Sequence, residues 1–203
     1  MTEPLVAIID AETTGLDPSA GHEAWEWGLI LRDPAAPPHE RDVEYLWQVR
    51  PDLTRADPLA LSKGGYYRRA RLNDHEPGAA ELVEGPPSAK VGSARALAFL
   101  LAPLLDGAVV VGCNPAFDRD FLRPFLHRHG QAYTCHYRPL CVTTMGAGYL
   151  YGQGFSPGDL PWSSDRVADL LGLDVSDYDR HTALHDCRFA RDQWDAITGG
   201  GNG

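Results

Sequence analysis

Lysine is almost missing from this sequence. Of 18 basic residues only Lys63 and Lys90 are lysines, and 28 acids outnumber the bases. The formal net charge of −10 argues against a protein that grips nucleic acid on a broad basic surface. It suits one that gathers carboxylates around divalent cations, since bound metal restores positive charge locally. Long apolar runs are missing too, and none approaches the roughly 18 residues needed to cross a bilayer, so no membrane contact is expected. Met1-Thr2-Glu3-Pro4 lacks a basic flank and leads straight into a strand-like run, unlike a secretory signal, so a cytoplasmic location is expected. Cysteine is scarce and not spaced in pairs. Cys113, Cys135, Cys141 and Cys187 form no CxxC, which points to reduced thiols, with Cys113 and Cys187 in apolar surroundings. Cys135, His136 and Cys141 fall short of the four closely spaced ligands of a structural zinc.

What is present is the balance of a folded globular chain: 43% hydrophobic and 23% charged residues over 203 positions. That length suits one domain, expected over 1–198, with a flexible Gly-rich tail at 199–203. Leu5–Ile9 is a short, β-branched apolar run and reads as a buried central strand ending at Asp10. Trp25–Leu31 and Val43–Val49 are two more strands, and the turn-rich Asp33–His39 between them predicts an antiparallel meander. Residues 51–92 have poor periodicity and read as an irregular insertion with one or two short helices. Ser93 caps a helix striped by Leu97, Leu100, Leu101, Leu104 and Leu105, and Gly107 stops it. Ala108–Gly112 is a fourth strand and Phe117–Arg128 a helix. After a region without clear pattern, Ser164–Leu171 and about Thr182–Ile197 are further helices, the last striped by Ala183, Cys187, Ala190, Trp194 and Ile197. This order implies an α/β fold: a mixed sheet with helices packed on it.

Three acidic groupings carry chemistry. Asp10 and Glu12 close the first strand two residues apart, so both project to one side. Two carboxylates fixed that way repel each other unless a cation lies between them, although a plain polar strand end is the blander reading. Asp118 lies on the same helical face as Leu122 and Phe125, where an acid needs a partner; a metal is one, and the helix dipole another. His181 precedes the last helix, and Asp186 sits beside Cys187 on its buried stripe. Tyr66-Tyr67-Arg68-Arg69-Ala70-Arg71 is the one basic cluster with interleaved aromatics, suited to a single strand or to a solvated helix edge.

Taken together and in order, these residues resemble the DEDDh-type 3′→5′ exonuclease family of proofreading subunits, ribonuclease T and oligoribonuclease. Asp10–Gly15 matches its Asp-x-Glu-Thr-Thr-Gly, Asn114, Phe117 and Asp118 its Asn-x-x-Phe-Asp, and His181, Ala183 and Asp186 its His-x-Ala-x-x-Asp. Asp57-Pro-Leu-Ala-Leu and Tyr178-Asp-Arg-His-Thr-Ala are similar to stand-alone exonucleases of actinobacteria and their phages. A sister subclass has Tyr where this chain has Thr182, which favours the His subclass. Departures are the long segment 51–92 and Cys141-Val-Thr143, where a related pattern has an Asp-Thr pair.

The resemblance implies a ribonuclease-H-like fold. It implies that Asp10, Glu12, Asp118 and Asp186 hold two Mg²⁺ or Mn²⁺ ions about 3.5–4 Å apart, with His181 as general base. Thr13, Thr14, Gly15, Leu16, Asn114 and Phe117 are then expected around the terminal nucleotide, with Phe117 favoured as core. The expected activity removes 5′-nucleotides from the 3′ end of nucleic acid, with single-stranded DNA as the substrate. The alternatives are an exoribonuclease on short RNA or RNA 3′ ends, and a non-catalytic nucleic-acid-binding module. A polymerase or another replication or repair protein is a candidate partner. Trp25 and Trp27 are expected in packing, not in base stacking.

Overall fold

A computed structural model describes residues 3–199; the tail expectation beyond Gly199 lies outside them. Six strands form one mixed sheet: β1 (Val6–Thr13), β2 (Ala24–Arg32), β3 (Asp42–Val49), β4 (Ala80–Glu84), β5 (Val109–Gly112) and β6 (Leu140–Cys141). Their spatial order is β4-β3-β2-β1-β5-β6. The first four pair antiparallel in sequence, so the expected meander is present and extended by β4. β5 runs parallel to β1, and β6 parallel to β5. The helices are α1 (Pro58–Lys63), α2 (Tyr66–Arg69), α3 (Ala94–Leu104), α4 (Pro115–Arg128), α5 (Val142–Gly152), α6 (Ser164–Leu170) and α7 (Ala183–Thr198). None is long and apolar enough to cross a membrane among the described residues.

The pleat of β1 sorts its side chains onto two faces. Ala7, Ile9 and Ala11 join the main core with Leu97, Leu101, Phe121, Leu122 and Phe125 from α3 and α4. Val6 and Ile8 join a second cluster with Leu184, Cys187 and Ala190 of α7. Helices thus cover both faces, and the strand that carries the acids is buried between them. Trp27 is in the main core and Trp25 packs with Leu61 and Tyr66, so both indoles are packing residues. α7 lies directly on β2. A Cβ at Gly28 would stand 2.5 Å from the carbonyl of Ala183, so glycine alone permits this approach.

The segment 51–92 is less irregular than its periodicity suggests. It holds α1 and α2, as expected, and also β4, which completes the sheet. α4 starts at Pro115, two residues before the expected Phe117, with proline suited to a first turn. Ser163 caps α6, its hydroxyl accepting from the Arg166 amide.

Candidate active site

Asp10 and Glu12 continue the Val6–Ile8 alternation, so they point to the α7 side of the sheet. Asp186 comes to them from the first turn of α7. One carboxylate oxygen from each of Asp10, Glu12 and Asp186 lies within 4.8 Å of the others. Asp118 enters from the first turn of α4 and is 3% exposed. It is not in that 4.8 Å set, for a visible reason. β5 pairs with β1 only as far as Ile8, and Asp118 Oδ1 then accepts from the Ala11 amide at 3.0 Å, as a further strand would have done. All four acids line one cleft of about 420 Å³, together with His181.

Electrostatics at this cluster follow from burial and crowding. Asp10 is held well above the ordinary carboxylate range, first by burial, then by repulsion from Asp118, Asp186 and Glu12. Burial also drives Glu12 up to about 7, with Glu26 and Asp186 adding to it and Arg69 opposing. Asp118 is raised by burial, against the Ala11 amide that favours its charged form. Crowded carboxylates with a shared preference for protons are a site short of positive charge. An oxygen-only donor set of this kind fits hard divalent cations such as Mg²⁺ or Mn²⁺.

Arg180 meets part of that shortage. Its Nε donates to Asp186 Oδ1 and its Nη1 to Asp165 Oδ1 at 2.6 Å, while its guanidinium lies 4.0 Å from the Phe189 ring centre. The adjacent His181 amide donates to Asp186 Oδ2 at 3.0 Å. His181 itself is exposed and has φ +67, a left-handed conformation that costs a non-glycine residue about 1–3 kcal/mol. Sequence reasoning missed Arg180, although it stands directly before the histidine motif. It also missed Ala60, Lys63 and Gly64 of the α1 segment, which form one wall of the cleft.

Not every expected residue reaches the cleft. Thr13, Leu16, Asn114 and Phe117 line it. Leu16 is 77% exposed, whereas Phe117 is half-buried and also packs on Phe121 at 5.0 Å, which serves cleft and core at once. Thr14 and Gly15 are turned to holding the loop. Thr14 is buried, its hydroxyl accepts from the Glu23 amide at 2.9 Å, and its carbonyl accepts from the Asp57 amide at 2.7 Å. Gly15 is pressed against the His22 ring. Cys113 is half-buried in the cleft wall and packs against the apolar cluster that holds the fully buried Cys187, the setting expected of both. His185 faces elsewhere, beside Arg188 and the Asp179 amide.

A buried scaffold supports the cluster. Glu26 lies directly across from Glu12 in the β1–β2 register and is 1% exposed. It accepts from the Ala183 amide at 3.1 Å, from Gln48 at 2.8 Å and from Arg69 at 2.7 Å. One carboxylate thereby ties the start of α7 to α2.

Solved structures with a similar fold are exonucleases. Escherichia coli Exonuclease I with a 5cy-dT13 oligonucleotide matches at TM-score 0.65 and 15% identity, over 98% of this chain and 41% of that one. The fold is ribonuclease-H-like, of the exonuclease type. The Exonuclease I/SSB-Ct complex matches at TM-score 0.63 and 16% identity, over 98% and 42%. A 3′-exonuclease that recognises the histone mRNA stem-loop matches at TM-score 0.58 and 14% identity, over 96% and 64%. The chain therefore spans less than half the length of Exonuclease I. No family model matches the sequence, and no curated protein does.

Proposed function

We propose that this chain is a 3′→5′ exonuclease that uses two divalent ions, Mg²⁺ or Mn²⁺, and releases 5′-nucleotides from single-stranded DNA. The observation that carries the proposal is the meeting of Asp10, Glu12 and Asp186 oxygens within 4.8 Å, in a cleft shared with Asp118 and His181. Residues from both ends of the described chain supply that set, and mutual repulsion gives it no purpose without cations. When bound, the ions supply charge for the phosphoryl transition state and acidify the attacking water.

The chain's own residues do the rest in this reading. Asp10, Glu12, Asp118 and Asp186 hold the ions by oxygen. His181, exposed at the cleft edge, takes the proton from the attacking water near neutral pH. Thr13, Leu16, Asn114 and Phe117 shape the seat of the terminal nucleotide. The partner is a nucleic-acid 3′ end; no polymerase is assigned. The solved structures of similar fold lend support, because one holds an oligodeoxynucleotide. Another concerns an RNA stem-loop, which keeps RNA as the second reading.

The test is incubation of the purified chain with 5′- and 3′-labelled single-stranded DNA and RNA, with Mg²⁺, Mn²⁺ or EDTA. Stepwise shortening from the 3′ end, lost in EDTA and faster on DNA, is expected. Faster shortening of RNA would select the ribonuclease reading. Tight strand binding without release under either metal would select a non-catalytic module.

A further inference from the structure

Residues 58–71 carry four basic residues and no acid, in a chain whose net charge is −10. The structure divides that cluster. Arg69 is spent on Glu26, and Arg71 lies 4.0 Å from Glu81. Among the described residues, Lys63 and Arg68 have no acid within ion-pairing distance, and both are exposed. Tyr66 is buried in edge contact with Trp25, its hydroxyl accepting from Arg50 at 3.0 Å. Tyr67 is 71% exposed and stands edge-on to Tyr66 at 5.2 Å. An aromatic ring braced by one neighbouring ring and otherwise largely exposed is a pre-set stacking platform.

Tyr67 and Arg68 border a groove of about 410 Å³, with Leu53, Ala56, Pro58 and Leu61 on its apolar side. The groove adjoins the acidic cleft. Ala60, Lys63 and Gly64 line the cleft, while Leu61, Ser62 and Gly65 line the groove. A strand that leaves the cleft over α1 crosses one helix, about 10 Å wide, to reach it. Leu59, 74% exposed, projects from that same crossing helix.

We infer that this groove binds single-stranded DNA a few nucleotides back from the 3′ end, with Tyr67 stacking a base and Arg68 contacting a phosphate. The inference rests on the exonuclease reading of the cleft and extends it to a second subsite. Charge complementarity selects the occupant: Arg68 in the groove, Lys63 in the adjoining cleft and an exposed aromatic ring match an unstacked, polyanionic strand. A duplex keeps its bases stacked on each other and offers Tyr67 no base face.

The experiment is anisotropy titration of 5′-labelled oligothymidylates of about 4, 8 and 12 nucleotides in EDTA, which prevents turnover. Wild-type affinity should rise with length once the strand reaches the groove. Tyr67→Ala should weaken the longest oligomer about tenfold, and Tyr67→Phe should restore it. Arg68→Ala should reduce the log–log salt slope by about 0.7. Both residues are exposed, so the variants should keep the wild-type circular dichroism. Unchanged affinity in Tyr67→Ala would overturn the inference. So would equal binding of duplex, or a length increment seen with oligouridylate and not with oligothymidylate. A wild type that shows the increment yet releases no nucleotide with either metal sinks the exonuclease reading while the groove stands. Nucleotide release with an indifferent Tyr67→Ala does the reverse.

Discussion

Replacing Arg180 with glutamine should tighten the binding of Mn²⁺, because the guanidinium already bonds a carboxylate oxygen of Asp186, one of the proposed cation ligands. The pair is only partly screened by solvent, with side-chain exposures of 26% for Arg180 and 13% for Asp186. A hydrogen bond between charged groups contributes about 1.5–3 kcal/mol. Discounting for the exposed side of the guanidinium puts the loss near the low end of that range. Any cation that takes Asp186 must displace this contact in the wild type and not in the variant. At about 1.4 kcal/mol per decade, the Kd for Mn²⁺ should fall about tenfold. Calorimetric titration of EDTA-stripped wild type and Arg180→Gln reads this without any substrate. An unchanged or weaker affinity in the variant would refute the reasoning, since Arg180 and the cation would then use different places.

Four further outcomes are expected. Asp186→Asn should abolish nucleotide release and lose the Mg²⁺-induced rise in Tm; equal rises in both proteins would contradict the shared metal site. His181→Ala should lower kcat by about 10²–10⁴-fold while Mn²⁺ still binds, and His185→Ala should change it little; the opposite ranking would remove His181 as base. In EDTA the folded chain binds more protons than the unfolded one from about 4.5 to about 7, because Glu12 is raised, with Asp10 and Asp118 shifted the same way. Stability should therefore fall as pH rises through that window, and saturating Mg²⁺ should flatten the fall; a Tm that climbs with pH in EDTA would be inconsistent with this. Glu26→Ala strands Arg69 and the Ala183 amide and should cost about 3 kcal/mol in urea denaturation; a loss below about 1 kcal/mol would show the scaffold to be dispensable.

The elements legible in the sequence are those whose apolar period reports a buried face. β1, β2, β3, β5, α3, α4 and α7 all have one. β4 was hidden because it is an edge strand in which only Ala80 is buried, so its alternation is faint. α5 was hidden for another reason: Val142–Gly152 contains three glycines, poor helix formers, and shows no polar face. Packing overrides propensity there, since a Cβ at Gly146 would stand 2.6 Å from Val167. That Asp10 and Glu12 share one side of β1 could be read from their two-residue spacing. Arg180 could not, because its reach to Asp186 depends on a left-handed backbone at the next residue. The contacts of Thr14 and Gly15 to His22, Glu23 and Asp57 were not legible, because loop closure at that range leaves no periodic trace.

The close seat of α7 on Gly28 has a consequence in time. β1 precedes the other strands in the chain, and α7 follows every strand of the sheet. Domains fold as the chain lengthens, so the sheet and its α3–α4 face can assemble while Asp186 is still to come. Until α7 docks, Asp10, Glu12 and Asp118 lack the fourth carboxylate, Asp186. A nascent chain of this design carries an incomplete acid set past its own messenger, and the set closes only when the last helix settles onto a strand kept bare for it.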